Sequence, residues 1–187
     1  MYELYGYIGV GIELSDIQKI AFPDRETLYF GFSYLKKGKL KTVRINGDVR
    51  ENEHVFKDVI GSNVLIGQSM FENSDQAIPF HKKGVSVICF GEFQELKRLT
   101  DSKSDSEEFW HVLSNTDTDP LFIHETFQYH SVLIIQNNNF IITSRGLTLY
   151  EEWIPGGRTY CSRSLSENSI KLVKFIEIIN ITQYVFK

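Results

Sequence analysis

The sequence predicts an α+β protein, mainly an antiparallel β-sheet with two or three short helices packed on it. Only two of the 187 residues are alanine, whereas 14 are phenylalanine and nine are tyrosine. Alanine favours helices, while aromatic and β-branched residues fit the pleated face of a sheet. Tight turn signals recur between the apolar runs, which favours hairpins over crossovers. With 42% hydrophobic residues and no clear linker, residues 1–187 are expected to form a single domain.

The first third of the chain predicts a strand, a short helix and a hairpin. Tyr2 to Leu14 has the composition of a strand, interrupted by glycines. Ser15 to Gln18 has the capping-box pattern of a helix start, and Pro23 limits that helix to a few turns. Alternating apolar residues over 28–35, a lysine- and glycine-rich turn, and a return over 40–45 predict the hairpin.

The middle of the chain predicts helices around a buried strand. Apolar spacing over 53–60, followed by Gly61, predicts a helix with a glycine cap. Residues 63–71 fit either a helix or a strand. The continuous apolar run from Gly84 to Phe93 predicts a central strand, and a second capping box predicts a helix from Ser104 to about Asn115.

The last third of the chain is the richest in predicted strands. His124 to Gln136, an asparagine turn, and Phe140 to Trp153 read as one long hairpin. A loop is expected from Pro155 to Asn168. Residues 170–186 close the chain with many β-branched side chains, which predicts a final strand.

Charge and cysteine content exclude several classes of protein. A net charge of −4 argues against nucleic acid as a partner, because such binding needs a basic surface. The start of the sequence does not resemble a signal peptide, and no apolar run is long enough to span a membrane, so we expect a cytoplasmic protein with no membrane partner. Two cysteines, Cys89 and Cys161, give no metal-ligand spacing, and we expect neither a metal nor a cofactor.

Possible chemistry rests on a few short patterns. His124 and His130 are six residues apart, which suits neither a helical zinc site nor a shared metal on one strand. His124 opens one H-x-T-hydrophobic element that resembles half of the two-histidine phosphoesterase motif, and the other half is missing. After the glycines that follow Pro155, Arg158 and Arg163 are weak candidates for an anion-binding loop, since arginine grips carboxylate or phosphate bidentately.

Acidic and aromatic residues, with no complete catalytic motif, favour a binding protein over an enzyme. We interpret the chain as a bacterial inhibitor or immunity-type protein that masks a basic surface of a partner protein, namely a toxin. Such contacts rest on aromatic anchors surrounded by complementary charge. The predicted partner-binding residues are Glu107, Glu108, Trp110, Asp117, Asp119, Glu151, Glu152 and Trp153. The two aspartates also fit a turn before Pro120 or, less well, a cation site.

Two other classes of function stay open at this stage. The alternative is a small hydrolase or phosphoryl-handling enzyme in which His124, His130, Arg158 and Arg163 converge after folding. A structural or assembly protein is the third hypothesis.

Overall fold

The structure is a computed structural model, which describes residues 2–21, 29–46, 53–70, 79–91, 106–107, 109–111 and 120–185. Its helices are α1 (Leu14–Ala21), α2 (Glu53–Val59), α3 (Pro120–Thr126) and α4 (Ile181–Val185), with a further helical segment at 106–107 and 109–111. None of the helices in these ranges is both long enough and apolar enough to cross a membrane.

Ten strands form one continuous sheet in which every pairing is antiparallel. They are β1 (Tyr2–Gly9), β2 (Tyr29–Lys36), β3 (Lys39–Asn46), β4 (Val64–Met70), β5 (Phe80–Lys82), β6 (Val85–Gly91), β7 (His130–Gln136), β8 (Asn139–Ile154), β9 (Gly157–Cys161) and β10 (Ile170–Asn180). The order is β3-β2-β4-β1-β9-β8-β7-β6-β5, with β10 paired to β8. The predicted fold class, a mainly antiparallel sheet with short helices, is confirmed.

The long strand β8 divides the sheet into two halves. Residues 139–146 of β8 pair with β7, and residues 150–154 pair with β9. Residues 150 and 151 pair with β9 and β10 at once, so β7 and β9 follow one another along the same edge of β8, and β10 occupies the other edge. Half-sheet A comprises β3, β2, β4, β1 and β9, and half-sheet B comprises β7, β6 and β5.

The two half-sheets pack face to face through a shared apolar core. Side chains alternate between the faces of a strand, and the inner faces supply Leu4, Ile66, Leu133 and Phe140 to one buried cluster. The two faces approach closely at Gly6, because a Cβ built there would lie 3.0 Å from Leu133 Cδ1 and 3.3 Å from Phe140 Cζ. Ser33 of half-sheet A also hydrogen-bonds to Ser86 of half-sheet B. The sheet therefore forms a sandwich.

Helical segments cover the outer faces of both half-sheets. On half-sheet A, Ile17 of α1 and Phe56 of α2 join a cluster with Tyr5 and Phe32. On half-sheet B, Phe109 and Ile123 pack with Val132 and Ile134. The result is four layers, with helices on both outer faces and two sheet layers between them.

Several predicted elements differ from the structure. The residues from His124 to His130, expected within one strand, instead end α3 and begin β7, with a bend between them. The expected loop from Pro155 contains β9, and residues 181–185 form α4 rather than continuing β10. Helix α1 begins at Leu14, and the Glu13 amide donates to Asp16 Oδ2 at 3.4 Å, so the cap lies before the predicted serine.

The hairpin of β2 and β3, the helix ending at Gly61 and the strand from Val85 agree with the sequence-based expectations. Residues 63–71, which fitted either element, contain strand β4. Most of the predicted helix from Ser104 to Asn115 lies outside the described residues.

Gly67 provides a test of the packing on the outer face of half-sheet A. It pairs with Tyr5, and a Cβ at this position would overlap the buried Tyr5 ring. We expect Gly67→Ala to lower the free energy of unfolding in urea by about 2–3 kcal/mol, the cost of overpacking a rigid core. The control is Gly38→Ala at the β2–β3 turn, where nothing lies within 4 Å but φ is +73°; backbone strain alone should cost about 1 kcal/mol. Equal costs for the two variants would contradict the packing assigned to Tyr5.

Candidate functional site

The sandwich has two distinct ends, and helix α4 shows which strand ends coincide. Helix α4 follows β10 and packs on β1, and Ile181 belongs to the shared inner core. The Ile181 amide donates to the Asn138 carbonyl, and the ring centre of Tyr184 in α4 lies 5.2 Å from the guanidinium carbon of Arg158, which pairs with Ile8 of β1. The 136–139 ends of β7 and β8 therefore lie on the same side of the sandwich as the Ile8 end of β1. Residues 131 and 144 are at the opposite ends of β7 and β8, and Leu4, with its partner Gln68, is toward the opposite end of β1.

At the Leu4 end the inner faces change from apolar to polar. Gln68 shares its face with Val64 and Ile66, and Ser131 shares its face with Leu133. Ser131 Oγ lies 3.2 Å from Ser144 Oγ, and Ser144 donates to the Leu147 carbonyl at 3.0 Å. We use the name polar end for Gln68, Ser131 and Ser144, the polar residues that follow the apolar series on the inner faces of their strands. All three residues are buried.

Hydrogen bonding at the polar end leaves capacity for a ligand. Because Ser144 uses its proton on Leu147, Ser131 must donate to Ser144, and the oxygen of Ser131 can still accept. The Gln68 carboxamide makes no side-chain hydrogen bond to any of the described residues. A carboxamide offers one acceptor and two donor protons, so the polar end can pair with an amide or another uncharged polar group.

Phe90 lies beside Ser131 on the neighbouring strand and is 41% exposed. Gly91 follows it and pairs with His130. An aromatic side chain therefore borders the polar end.

The other end of the sandwich is built around Arg158. The Arg158 Nη1 and Nη2 atoms each donate to Glu177 at 3.2 Å, a bidentate ion pair between β9 and β10. Its guanidinium carbon lies 4.7 Å from the centre of the Trp153 ring and 5.2 Å from that of Tyr184. Glu151 Oε2 lies 3.6 Å from Nη1. We call the region formed by Arg158, Glu177 and Tyr184 the Arg158 end.

Two buried histidines lie on the outer face of half-sheet B. His124 Nδ1 is 2.8 Å from Thr143 Oγ1, and His130 Nε2 is 2.9 Å from the same oxygen. His130 Nδ1 is 2.7 Å from the Phe127 carbonyl, so that nitrogen carries the proton and Nε2 accepts from Thr143. The threonine oxygen then accepts from His124 Nδ1. The ring centres are 5.8 Å apart, because the bend between α3 and β7 brings together side chains that one strand would separate.

Burial disfavours the charged form of both imidazoles. It lowers the pKa of His130 to about 4, with further lowering by His124 and Arg145 and a partial offset from the bond to the Phe127 carbonyl. Burial, followed by Arg145 and Lys174, also lowers the pKa of His124. No group of three or more His, Cys, Asp or Glu side chains within the described ranges is placed to hold a metal ion.

The four residues of the enzyme hypothesis lie in different parts of the fold. His124 and His130 are on the outer face of half-sheet B, whereas Arg158 is held at the Arg158 end by Glu177. Arg163 donates from Nε to Glu3 at 3.0 Å and from Nη2 to the Lys19 carbonyl at 3.0 Å. Both arginines are therefore engaged by groups of this chain.

The predicted partner-binding residues are also dispersed. Trp110 is buried and donates to the Lys82 carbonyl at 2.9 Å, and Glu107 lies 4.0 Å from His111. Glu151 accepts from the Trp153 indole, while Glu152 is bonded to Lys19, Ser166 and Ser169. Trp153 is 62% exposed. Glu108, Asp117 and Asp119 lie outside the described residues.

Neither cysteine is placed as a nucleophile. Cys89 and Cys161 are both buried free thiols. Burial raises the pKa of Cys161 to about 11, although Arg163 and its amide act in the opposite direction. A thiol is a poor nucleophile when it is both protonated and inaccessible.

Sequence reasoning did not single out Gln68, Ser131, Ser144, Thr143 or Glu177. The available signal was period-two alternation in short strands. Gln68 interrupts the apolar series on one face of β4, and Ser131 does the same on one face of β7. Such an interruption indicates a polar side chain that points inward.

Solved structures of similar fold include enzymes of glutamine chemistry. The allosteric regulatory enzyme of purine biosynthesis matches with a TM-score of 0.70 and 14% identity over 95% of this chain. Glutamine phosphoribosylpyrophosphate amidotransferase from B. subtilis, solved with ADP and GMP, matches with a TM-score of 0.64 and 14% identity, also over 95%. This chain spans 47% of the length of each of those two. A glutamine aminotransferase class-II domain protein from Silicibacter pomeroyi matches with a TM-score of 0.60 and 13% identity, over 96% of this chain and 99% of its own.

No protein-family model matches the sequence, and no curated protein matches it. At 13–14% identity the structural matches establish the fold alone.

The comparisons overturn the interpretation of this chain as an immunity-type inhibitor of a toxin. Solved structures that share its fold over nearly its whole length include glutamine amidotransferase-type enzymes. Sequence analysis erred because an acidic, aromatic-rich composition is common to many globular proteins and does not identify a binding surface.

The low pKa of His130 predicts how stability depends on pH. The unfolded chain takes up a proton on this histidine near the ordinary histidine pKa of 6.5, whereas the folded protein does so only near 4. The free energy of unfolding should therefore fall as the pH drops from 6.5 toward 4, by at most about 1.4 kcal/mol per pH unit from this group. Urea unfolding at pH 6.5 and 5 measures the loss, expected to be up to about 2 kcal/mol.

His130→Gln should remove that part of the pH dependence, because the variant has no imidazole to protonate. An NMR titration midpoint for His130 near 6.5 in the folded protein would contradict the buried, neutral state.

Proposed function

We propose that this chain is a glutamine-amidotransferase-type domain that binds the carboxamide of glutamine at the polar end. The fold match to enzymes of glutamine chemistry over at least 95% of the chain is the observation that carries this proposal. A cytoplasmic location, expected from the sequence, is part of the same proposal.

The chemistry of the polar end supports an uncharged amide as the ligand. Gln68 can both donate to and accept from a second carboxamide, and the Ser131 oxygen can accept an amide proton. The described side chains that define this end carry no formal charge. A site that hydrogen-bonds an uncharged group binds a charged analogue more weakly, because no interaction in the site compensates for removing the charge from water.

The described residues of the polar end account for recognition rather than for cleavage of the amide. Breaking the C–N bond needs a nucleophile activated by a base, with ammonia as the leaving group. Ser131 and Ser144 are bonded to each other and to a carbonyl, and neither is bonded to a base. The proposal is therefore limited to carboxamide binding.

Calorimetric titration with L-glutamine tests the proposal, with L-glutamate as the matched charged ligand. We expect saturable glutamine binding and at least tenfold weaker glutamate binding. Gln68→Leu and Ser131→Ala should each weaken glutamine binding by about tenfold, because each removes a buried partner of the amide. Ser62→Ala, at a buried serine whose hydroxyl donates to the Val59 carbonyl in the α2 layer, is the control and should leave affinity unchanged.

Ammonia release measured in the same samples gives a second readout. Release that falls in Ser131→Ala would place hydrolysis at the polar end, and binding without release would restrict the domain to recognition. Failure of glutamine to bind at millimolar concentration would overturn the proposed function.

A further inference from the structure

A second candidate site lies at the Arg158 end, away from the polar end and independent of the proposed function. It is an open cavity of about 360 Å³, lined by Arg158, Glu177, Ile178, Ile179, Asn180, Gln183 and Tyr184. This volume is within the range of small-molecule sites. The lining combines an ion pair, two side-chain amides and two isoleucines.

The arginine in the wall of this cavity is fixed in place. Arg158 is only 7% exposed, and it is held bidentately by Glu177 and by the rings of Trp153 and Tyr184. A planar guanidinium that is both stacked and paired loses little freedom when a ligand arrives. The wall is therefore preorganised.

The local charge favours a cation rather than an anion. Two carboxylates, Glu151 and Glu177, face the single guanidinium of Arg158, which leaves one net negative charge. Among the residues that line the cavity, Arg158 and Glu177 balance each other, and the excess negative charge comes from Glu151, which contacts Arg158 but does not line the cavity. The side chain of Glu177 is 34% exposed, so its oxygens remain accessible after pairing with Arg158. The excess negative charge would repel an anion. The cavity therefore does not suit the weak anion-binding role that the sequence predicted for Arg158.

We propose that this cavity binds a small primary alkylammonium compound. The ammonium group donates to the free lone pairs of Glu177, and the alkyl chain lies against the apolar part of the cavity wall. A primary ammonium has three donor protons, which suits a carboxylate whose oxygens keep lone pairs beyond its ion pair. The apolar wall adds burial of the alkyl chain, so charge and apolar length both contribute to recognition.

Calorimetric titration of the 187-residue chain with n-butylammonium tests the proposal, with n-butanol and n-butanoate as neutral and anionic probes of similar size. We expect butylammonium to bind at millimolar concentration and the other two at least tenfold more weakly. Its affinity should fall as ionic strength rises, because the attraction is screened. Trp153, which stacks on Arg158 at the protein surface, should report binding through its fluorescence.

Two variants distinguish recognition of the ligand's charge from nonspecific binding. Glu177→Gln removes the excess negative charge and should weaken butylammonium binding by at least tenfold. Asn180→Asp adds a carboxylate but keeps the oxygen that accepts from the Gln183 amide at 3.0 Å, and it should tighten binding about three- to tenfold. Glu125→Gln, at an exposed glutamate of α3, is the control and should change nothing.

Equal affinity for the three probes, or tighter binding of butanoate, would overturn the proposal. The same holds if Asn180→Asp leaves the butylammonium affinity unchanged, and this variant keeps the test valid if Glu177→Gln fails to fold. Glutamine titrations do not enter this experiment, so its failure would leave the proposed function untouched.

Discussion

Close contact between the inner faces of the two half-sheets is the constraint on which the rest of the fold depends. It favours a residue without a side chain at Gly6, since a Cβ there would contact Leu133 and Phe140 tightly. It also requires a strand long enough to serve both layers, which is why β8 runs for 16 residues and pairs with β7 and β9 in succession. Without β8 the two half-sheets would be separate layers with unprotected edges.

The interior is mostly apolar in the middle, where Ser33 and Ser86 bond to each other. Further polar groups lie toward its two ends, and the two ends compensate for the loss of water in different ways. At the Arg158 end, charges are paired within the chain, and aromatic rings replace water around the guanidinium. At the polar end, uncharged groups are only partly satisfied by one another. A buried polar group without a full set of partners costs free energy, which a ligand of complementary chemistry can recover. This difference makes the polar end the better candidate for recognition of an uncharged amide.

Sequence reasoning reached the fold class and most elements, because local patterns determine them. The β2–β3 hairpin, the glycine at the end of α2 and the apolar strand β6 each follow from propensities of adjacent residues. The sites depend on contacts between distant residues. Arg158 meets Glu177, and His124 meets His130 only because α3 ends in a bend. The strand predicted over 124–136 failed for the same reason, since tertiary packing of α3 on β8 overrides local strand propensity.

The same physics explains how the fold is shared at 13–14% identity while no family model matches the sequence. An inner face needs bulky apolar side chains of suitable total volume, and many combinations satisfy that requirement. Ile66, Leu133 and Phe140 meet it through alternation and size. At the polar end the buried groups are matched by hydrogen bonding rather than by apolar volume. Side chains at that end are free to differ between proteins that share the sandwich, so chemistry must be read there from Gln68 and Ser131 themselves rather than from the fold.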